Sequence, residues 1–218
     1  MVIQTKFLKQ LQQLELKMTE MGQSCLKGLS LCKHSLYDGD KVLTQEVDEL
    51  HEEVSTLSRD CDQNCMRILL LQAPVAKDLR RITVATNTVR DLTRIMDQEK
   101  EVASLIREMD HSANSEIHDS IAELFMVAKG MISNALNAYM SRDEQVAQDV
   151  IKMDDKADAA YLATKNFYTD KLAAKVDDPG NLVNLLLVGK YLERICDHAG
   201  NIARWVLYQK SGVLESED

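Results

Sequence analysis

Apolar residues recur three and four positions apart along most of the chain, and no segment alternates with a period of two. The clearest stretch lies near the end of the chain and comprises Leu182, Leu185, Leu186, Leu192, Ile195, Ala199, Ile202, Ala203 and Val206. An earlier stretch with the same spacing comprises Val75, Leu79, Ile82, Ala85, Val89, Leu92 and Ile95. This spacing places apolar side chains on one face of an α-helix. The pattern therefore predicts amphipathic helices and no β-sheet.

Turn-forming residues and polar clusters divide the chain into about six segments of roughly 25–35 residues. The breaks fall at 38–40, 73–74, 110–115, 141–144 and 178–181. We expect Pro74 to begin a helix at its first position, and Ser141 with Glu144 to form a capping box. Short connections between long amphipathic helices are typical of antiparallel bundles.

A short internal repeat supports a duplicated architecture. Arg94-Ile-Met-Asp97 and Arg194-Ile-Cys-Asp197 share the pattern Arg-Ile-x-Asp and lie 100 residues apart. Each motif falls in the third predicted helix of its half of the chain. We therefore predict an all-α fold of two tandem, pseudo-symmetric three-helix bundles with six long antiparallel helices, the first at residues 1–111 and the second at 112–218.

Composition and charge narrow the classes of function. The chain has 35 acidic and 26 basic residues, and its net charge of −9 argues against nucleic-acid binding, which depends on neutralising phosphates. The longest apolar runs have about five residues, far fewer than the ~20 of a membrane helix. The first residues do not resemble a secretory signal. We expect a cytoplasmic protein whose five cysteines are reduced thiols.

Two pairs of acidic residues are the most informative polar feature. Asp154 and Asp158 share one face of the fifth predicted helix, and Glu193 and Asp197 share one face of the sixth. Like charges four residues apart destabilise a helix by a few tenths of a kcal/mol. If the two helices are neighbours, the four carboxylates could surround a cation, and oxygen ligands suit hard or borderline metals.

Simpler explanations of these acids remain open. Lys190 precedes Glu193 by three residues and Arg194 precedes Asp197 by three, so local salt bridges on a solvated face account for both acids. Spacing alone favours that interpretation.

Other groups of residues are weaker evidence for a functional site. Glu108-Met-Asp-His111 is a single Glu-x-x-His motif, whereas a ferritin-like site needs two. Cys61 and Cys65 could share a metal but are explained more simply as buried apolar residues. Nucleophile-elbow and phosphate-loop motifs are absent, so the sequence does not support a conventional enzyme.

Two longer motifs resemble a known family. The segment 72–80, Gln-Ala-Pro-Val-Ala-Lys-Asp-Leu-Arg, and the segment 191–203, Tyr-Leu-Glu-Arg-Ile-Cys-Asp-His-Ala-Gly-Asn-Ile-Ala, resemble signatures of the PhoU phosphate-transport regulators. The tail from Trp205 to Gly212 also resembles the end of PhoU proteins. The resemblance implies a non-enzymatic cytoplasmic adaptor, at or near the inner face of the membrane. It also implies a homodimer that acts between a phosphate ABC transporter and a sensor histidine kinase.

The resemblance further implies metal clusters, of iron or zinc, bound by acid-x-x-x-acid motifs in each repeat. The second repeat keeps the pattern, so the resemblance favours Asp154, Asp158, Glu193 and Asp197 as ligands of a divalent or trivalent metal. In the first repeat the matching positions are His51, Ser55, Thr93 and Asp97. Asp97 is then a weaker candidate ligand, and we expect a weakened or absent site there.

Several alternatives remain. A three-residue shift of the alignment would offer Asp48 and Glu52 as ligands in the first repeat. The chain could instead be a metalloenzyme that uses the same carboxylates with His198, or a purely structural adaptor whose acids only aid solubility.

The basic residues Lys77, Arg80 and Arg81 could meet an acidic partner or lipid headgroups, or could form salt bridges within their own helix.

Overall fold

Six long α-helices account for nearly all of the residues that the computed structural model describes, which are 2–110, 116–174 and 179–213. The helices are α1 (Val2–Asp38), α2 (Leu43–Gln72), α3 (Lys77–Glu108), α4 (Asp119–Ser141), α5 (Glu144–Ala173) and α6 (Pro179–Ser211). None of the described residues lies in a strand. Within the described ranges, no helix is both long and apolar enough to cross a lipid bilayer.

The helices form two three-helix bundles that pack side by side. Helices α1, α2 and α3 contact one another, and so do α4, α5 and α6. The bundles join through α3 against α6, with α1 against α4 beside them. The predicted all-α fold of two three-helix bundles is confirmed.

Polar contacts fix the register of α3 against α6. Near the middle, Nδ1 of His198 lies 3.1 Å from Oδ1 of Asp91. At one end, Nδ2 of Asn181 donates to the backbone oxygen of Asp110 (2.8 Å), and its Oδ1 accepts from the backbone N–H of Asp110 (3.0 Å). Residue numbers rise along α3 as they fall along α6, so the two helices are antiparallel.

This register brings the two copies of the Arg-Ile-x-Asp motif together. Arg94 and Arg194 line the same cavity of about 520 Å³ between the helices. Ile95 and Ile195 are both fully buried in the core. The two copies of the repeated motif therefore meet where the two bundles join.

The core is continuous through both bundles and contains all five cysteines as buried free thiols. Cys61 and Cys65 are among them, and burial raises the pKa of both thiols. A raised pKa keeps a thiol protonated, and a protonated thiol is a poor metal ligand. The structure therefore supports their interpretation as buried apolar residues.

One buried acid lies within the first bundle. The Glu99 side chain on α3 is fully buried, and burial raises its pKa well above the ordinary range of a glutamate. Its carboxyl group lies against Gly28 of α1, where a Cβ atom would overlap with Oε2. The absence of a side chain at Gly28 makes room for the carboxyl group, and burial favours its neutral form.

A close approach between α5 and α6 positions the acidic faces of the second bundle. A Cβ atom at Gly189 of α6 would lie 2.7 Å from Cγ2 of Thr164 on α5, so only glycine fits there. Thr164 is buried, and its hydroxyl group lies 2.6 Å from that of Ser120 on α4. This packing makes α5 and α6 direct neighbours, as a shared carboxylate site requires.

The start of α3 differs from the sequence-based expectation. Pro74 does not begin the helix, which starts at Lys77, because Ala73 and Ala76 adopt positive φ angles of 42° and 47° that interrupt helical geometry. Val75 is 76% exposed and Leu79 is 43% exposed, although both fit the apolar period. The buried face of α3 therefore begins at Ile82, because the connection turns away from the core.

The predicted capping box is wrong. Helix α4 continues through Ser141, whose hydroxyl group donates to the backbone oxygen of Asn137 at 2.6 Å. Asp143 is instead the N-cap of α5, with Oδ1 accepting from the N–H groups of Gln145 (2.9 Å) and Val146 (3.2 Å). The residue in extended geometry just before the helix performs the capping, because only there can a side chain reach the first free N–H groups.

We expect Asp143→Ala to lower the free energy of unfolding by about 1 kcal/mol, because two N–H groups at the start of α5 lose their acceptor. Ser141→Ala is the matched control and should change it by less than about 0.5 kcal/mol. Urea unfolding followed by circular dichroism measures both. A larger loss for Ser141→Ala than for Asp143→Ala would contradict this assignment.

Candidate metal centre

The two acidic pairs lie on α5 and α6, two helices that pack against each other. Asp154 and Asp158 are one helical turn apart on α5, and Glu193 and Asp197 are one turn apart on α6. The Cys196 thiol is buried in the same region, and its pKa is raised, first by burial and then by these four carboxylates. Electrostatic effects of this kind act over short distances. The structure therefore brings all four predicted residues into one neighbourhood, here called the carboxylate cluster.

Two basic side chains neutralise part of the carboxylate cluster. Nζ of Lys190 lies 2.6 Å from Oε2 of Glu193, which is the local salt bridge expected from their spacing. Arg204 of α6 reaches across to α5, with Nη2 3.7 Å from Oδ2 of Asp154. Asp158 is exposed to solvent. The second expected local pair is not formed within the described residues, because Arg194 has no carboxylate within 4 Å there.

The raised pKa of Asp197 indicates that the carboxylate cluster keeps an excess of negative charge. Burial, with the carboxylates of Glu193 and Asp154, raises the pKa of Asp197 to about 6, although Lys190 and His198 act in the opposite direction. The ordinary value for an aspartate is about 4. A carboxyl group with this pKa is in surroundings that favour either a proton or another cation.

The chemistry of the carboxylate cluster fits a metal ion. All four donors are carboxylates, which suit hard or borderline divalent and trivalent cations. The distances are not those of an assembled site. Among the described residues, no three His, Cys, Asp or Glu side chains are grouped closely enough to hold one ion together. The cluster is thus a set of suitable donors, two of which are paired with basic side chains.

The corresponding face of the first bundle has different chemistry. Nε2 of His51 lies 3.1 Å from Oδ1 of Asp97, and Nδ1 of His51 lies 3.4 Å from Nζ of Lys100. Arg94 donates to Oδ2 of Asp97 at 3.2 Å. Thr93 uses its hydroxyl group to donate to the backbone oxygen of Val89. Asp97 is therefore held by basic partners and has no second acid from the aligned positions beside it.

The shifted alignment does not bring a better set together. Asp48 forms a salt bridge with Arg107 of α3, whereas the Glu52 side chain is 77% exposed and lies 3.8 Å from His51. The remaining motif, Glu108-Met-Asp-His111, ends at a histidine outside the described residues.

Two contacts of this region were missed by the sequence-based reasoning. Arg204 lies seven residues after Asp197, so the helical period places it on the same face two turns later, and that signal was available. Asp91 carries no such signal, because its contact with His198 depends on how α3 packs on α6. His198 thus contacts Asp91 of the first bundle.

The comparisons with known proteins match both bundles. The PhoU domain model matches residues 18–106 and again 121–206, one match in each bundle. The chain belongs to the PhoU family. The two matches together cover most of the chain, and they repeat in the order that the duplicated Arg-Ile-x-Asp motif predicts.

Named relatives cover the PhoU-family chain almost end to end. It is 31% identical to the phosphate-specific transport system accessory protein PhoU homolog of Synechocystis, over 96% of this chain and 93% of the relative. It is 27% identical to the protein of the same name from Clostridium acetobutylicum, over 94% of both chains. The crystal structure of PhoU from Pseudomonas aeruginosa matches with a TM-score of 0.91 at 27% identity, covering 95% of this chain and all of that one.

We expect the raised pKa of Asp197 to make stability depend on pH. A carboxyl group with a raised pKa in the folded state destabilises that state when it ionises, so the free energy of unfolding falls as the pH rises from about 4 through about 6. In protein treated with a chelator, Asp197→Asn should remove this fall. We expect a gain of about 1 kcal/mol at pH 8, a value reduced for solvent screening because the group is only partly buried.

Urea unfolding at pH 4 and pH 8 measures this effect. Asp155→Asn is the matched control, because Asp155 lies on the exposed face of α5 and should leave the pH dependence unchanged. Equal pH dependence in wild type and Asp197→Asn would show that Asp197 has an ordinary pKa.

Proposed function

We propose that this PhoU-family chain regulates phosphate uptake and phosphate-starvation signalling. The observation that carries the proposal is the match of the family model to both bundles, together with relatives named as accessory proteins of a phosphate-specific transport system. Near-complete coverage of both chains favours a shared role for the whole molecule, because no large segment of the relatives lacks a counterpart here.

The proposed mode of action is that of an adaptor. In this role the chain acts in the cytoplasm between a phosphate ABC transporter and a sensor histidine kinase, and it forms a homodimer. Long helices packed side by side offer extended faces for such contacts. We propose no catalytic activity, and the names of the relatives as accessory proteins support a binding role.

The carboxylate cluster is proposed as a metal-binding element of this regulator. Asp154, Asp158, Glu193 and Asp197 would hold a divalent or trivalent metal, with iron or zinc expected. A bound cation would supply positive charge that links α5 to α6. Lys190 and Arg204 serve as internal counter-ions of the same carboxylates, so they compete with the metal for Glu193 and Asp154.

A cellular experiment tests the regulatory role. Deleting the gene should raise the expression of a phosphate-starvation reporter in phosphate-rich medium, because a restraint on signalling is lost. Restoring the wild-type gene should return expression to its repressed level. Unchanged reporter expression in the deletion strain, in both phosphate-rich and phosphate-poor media, would contradict the proposal.

We expect the metal content of the purified protein to depend on the carboxylate cluster. The double variant Asp158→Ala with Glu193→Ala should lose the metal, because two of four donors are removed. Lys190→Met should bind metal more tightly, by roughly tenfold, because removing a salt-bridge partner leaves Glu193 without its competing cation. Elemental analysis and titration with zinc or iron measure both effects.

The matched control for this experiment is His51→Ala with Asp97→Ala in the first bundle. That variant should keep the wild-type metal content, because only one carboxylate is present at the corresponding positions. Equal metal content in the wild type and in Asp158→Ala with Glu193→Ala would contradict metal binding at the carboxylate cluster while leaving the regulatory role intact.

A further inference from the structure

One end of the molecule differs in character from the rest of its surface. At this end α2 finishes, α3 begins, α4 connects to α5, and α6 finishes. Ionic contacts join the elements there, since Glu15 of α1 lies 3.9 Å from Arg81 and 3.5 Å from Arg142. A side chain at Gly212 would overlap with the guanidinium group of Arg80, so the last residues of α6 lie against the start of α3. We call this region the α2–α3 end.

Large apolar side chains are exposed at the α2–α3 end. They lie between residues 66 and 79 and comprise Met66, Leu70, Leu71, Val75 and Leu79. Leu70 and Val75 are exposed by 77% and 76%, more than any other large apolar residue with a described side chain. Single exposed apolar residues need no explanation, but five within fourteen residues of chain mark an interaction surface.

The backbone of the connection between α2 and α3 holds the exposed apolar residues at its tip, Leu70, Leu71 and Val75, away from the core. We call these three residues the apolar tip. Ala73 and Ala76 both have positive φ angles, a conformation that side chains other than glycine rarely adopt. The N–H group of Asp78 donates to the backbone oxygen of Val75 (3.1 Å), and that of Arg80 donates to the oxygen of Ala76 (3.1 Å). The connection is therefore a hydrogen-bonded turn that keeps Val75 in solvent. Strained backbone is retained where its geometry is used.

Basic residues surround the apolar tip, although the whole chain carries a net charge of −9. From residue 63 to residue 81 there are four basic residues and one acid, Asp78. Arg67 and Lys77 have no carboxylate within 4 Å among the described residues. Lys77, Arg81, Arg142 and Lys210 also line a cavity of about 320 Å³ beside the tip.

Acidic groups also face this cavity, but they do not cancel its excess of positive charge. Glu144 lines it and is paired with Lys210, and Glu15 lies near Arg81 and Arg142. The opposite end of the molecule is acidic in its described part, with Asp38, Asp40, Asp110, Glu116 and Asp119. There Lys41 donates to two backbone oxygens and Lys171 pairs with Glu116. The two ends of the molecule therefore differ in charge, and the α2–α3 end is the more positive of the two.

We propose that the α2–α3 end binds directly to an anionic lipid surface. Leu70, Leu71 and Val75 insert at the boundary between headgroups and acyl chains, and Arg67 and Lys77 contact the lipid phosphates. Apolar side chains at a tip, flanked by arginine and lysine, are the combination that interfacial membrane binding requires. The binding is peripheral and reversible. It goes beyond the proposed regulatory role and does not depend on metal, transporter or kinase.

Co-sedimentation of the full chain with vesicles tests the proposal. One vesicle preparation contains phosphatidylcholine alone, and the other contains phosphatidylcholine mixed with phosphatidylglycerol. The wild type should bind the anionic vesicles at low salt, bind the neutral ones weakly or not at all, and dissociate as salt rises. Leu70→Ser with Val75→Ser, and separately Arg67→Gln with Lys77→Gln, should each lower the affinity for anionic vesicles by at least about tenfold.

The matched control is Leu162→Ser with Lys165→Gln, which makes the same kinds of change at exposed positions of α5 and should bind like wild type. A second measurement places a fluorescent label on Val75→Cys or Leu162→Cys. The five native thiols are buried, so labelling is directed to the introduced cysteine. Fluorescence should rise on anionic vesicles only for the label at position 75.

Three outcomes would overturn the proposal. The first is a wild type that binds neither vesicle preparation, in which case the α2–α3 end faces a protein. The second is binding that Leu70→Ser with Val75→Ser leaves unchanged, which would mean attraction of charges without insertion. The third is an equal fluorescence change at positions 75 and 162, which would place the contact elsewhere. None of these outcomes bears on phosphate signalling, so the two proposals fail separately.

Discussion

The antiparallel packing of α3 against α6 is the contact on which the rest of the structure depends. It joins two bundles along the length of their longest shared surface, and polar contacts at Asp91–His198 and Asp110–Asn181 hold its register. With that register fixed, α2 and α5 lie on the outer sides of the pair. Each bundle then presents an equivalent face, and the end where α3 begins also receives the end of α6.

The two equivalent faces have diverged in electrostatics. In the second bundle four carboxylates share one region, and the pKa of Asp197 rises to about 6 although Lys190 and Arg204 offset part of the charge. In the first bundle one aspartate, Asp97, is held by His51 through a 3.1 Å contact. A carboxylate with a basic partner needs no additional cation. Duplication has therefore left one face with excess negative charge and the other without it.

Much of the fold could be predicted from the sequence, because helical periodicity and breakers are local properties. These local properties were enough to predict the number of helices. They were also enough to place Asp154 and Asp158 on one helix face, and Glu193 and Asp197 on another. The predictions from sequence were wrong where a residue type fitted a local pattern but the backbone at that position did not. Ser141 resembles a cap but lies inside α4, and Val75 fits the apolar period but lies in a turn. In both cases the residue type was read correctly and its backbone conformation was not.

The sequence by itself determined the helical class, the two similar halves, the family and the acids that can share a site. Only the tertiary structure decided which of those acids have basic partners and which apolar residues remain in water. The physical reason is that charge compensation and burial depend on distances between helices remote in sequence. Arg204 reaches Asp154 because α6 packs on α5, and Leu70 stays exposed because it lies on the side of α2 that faces away from the core.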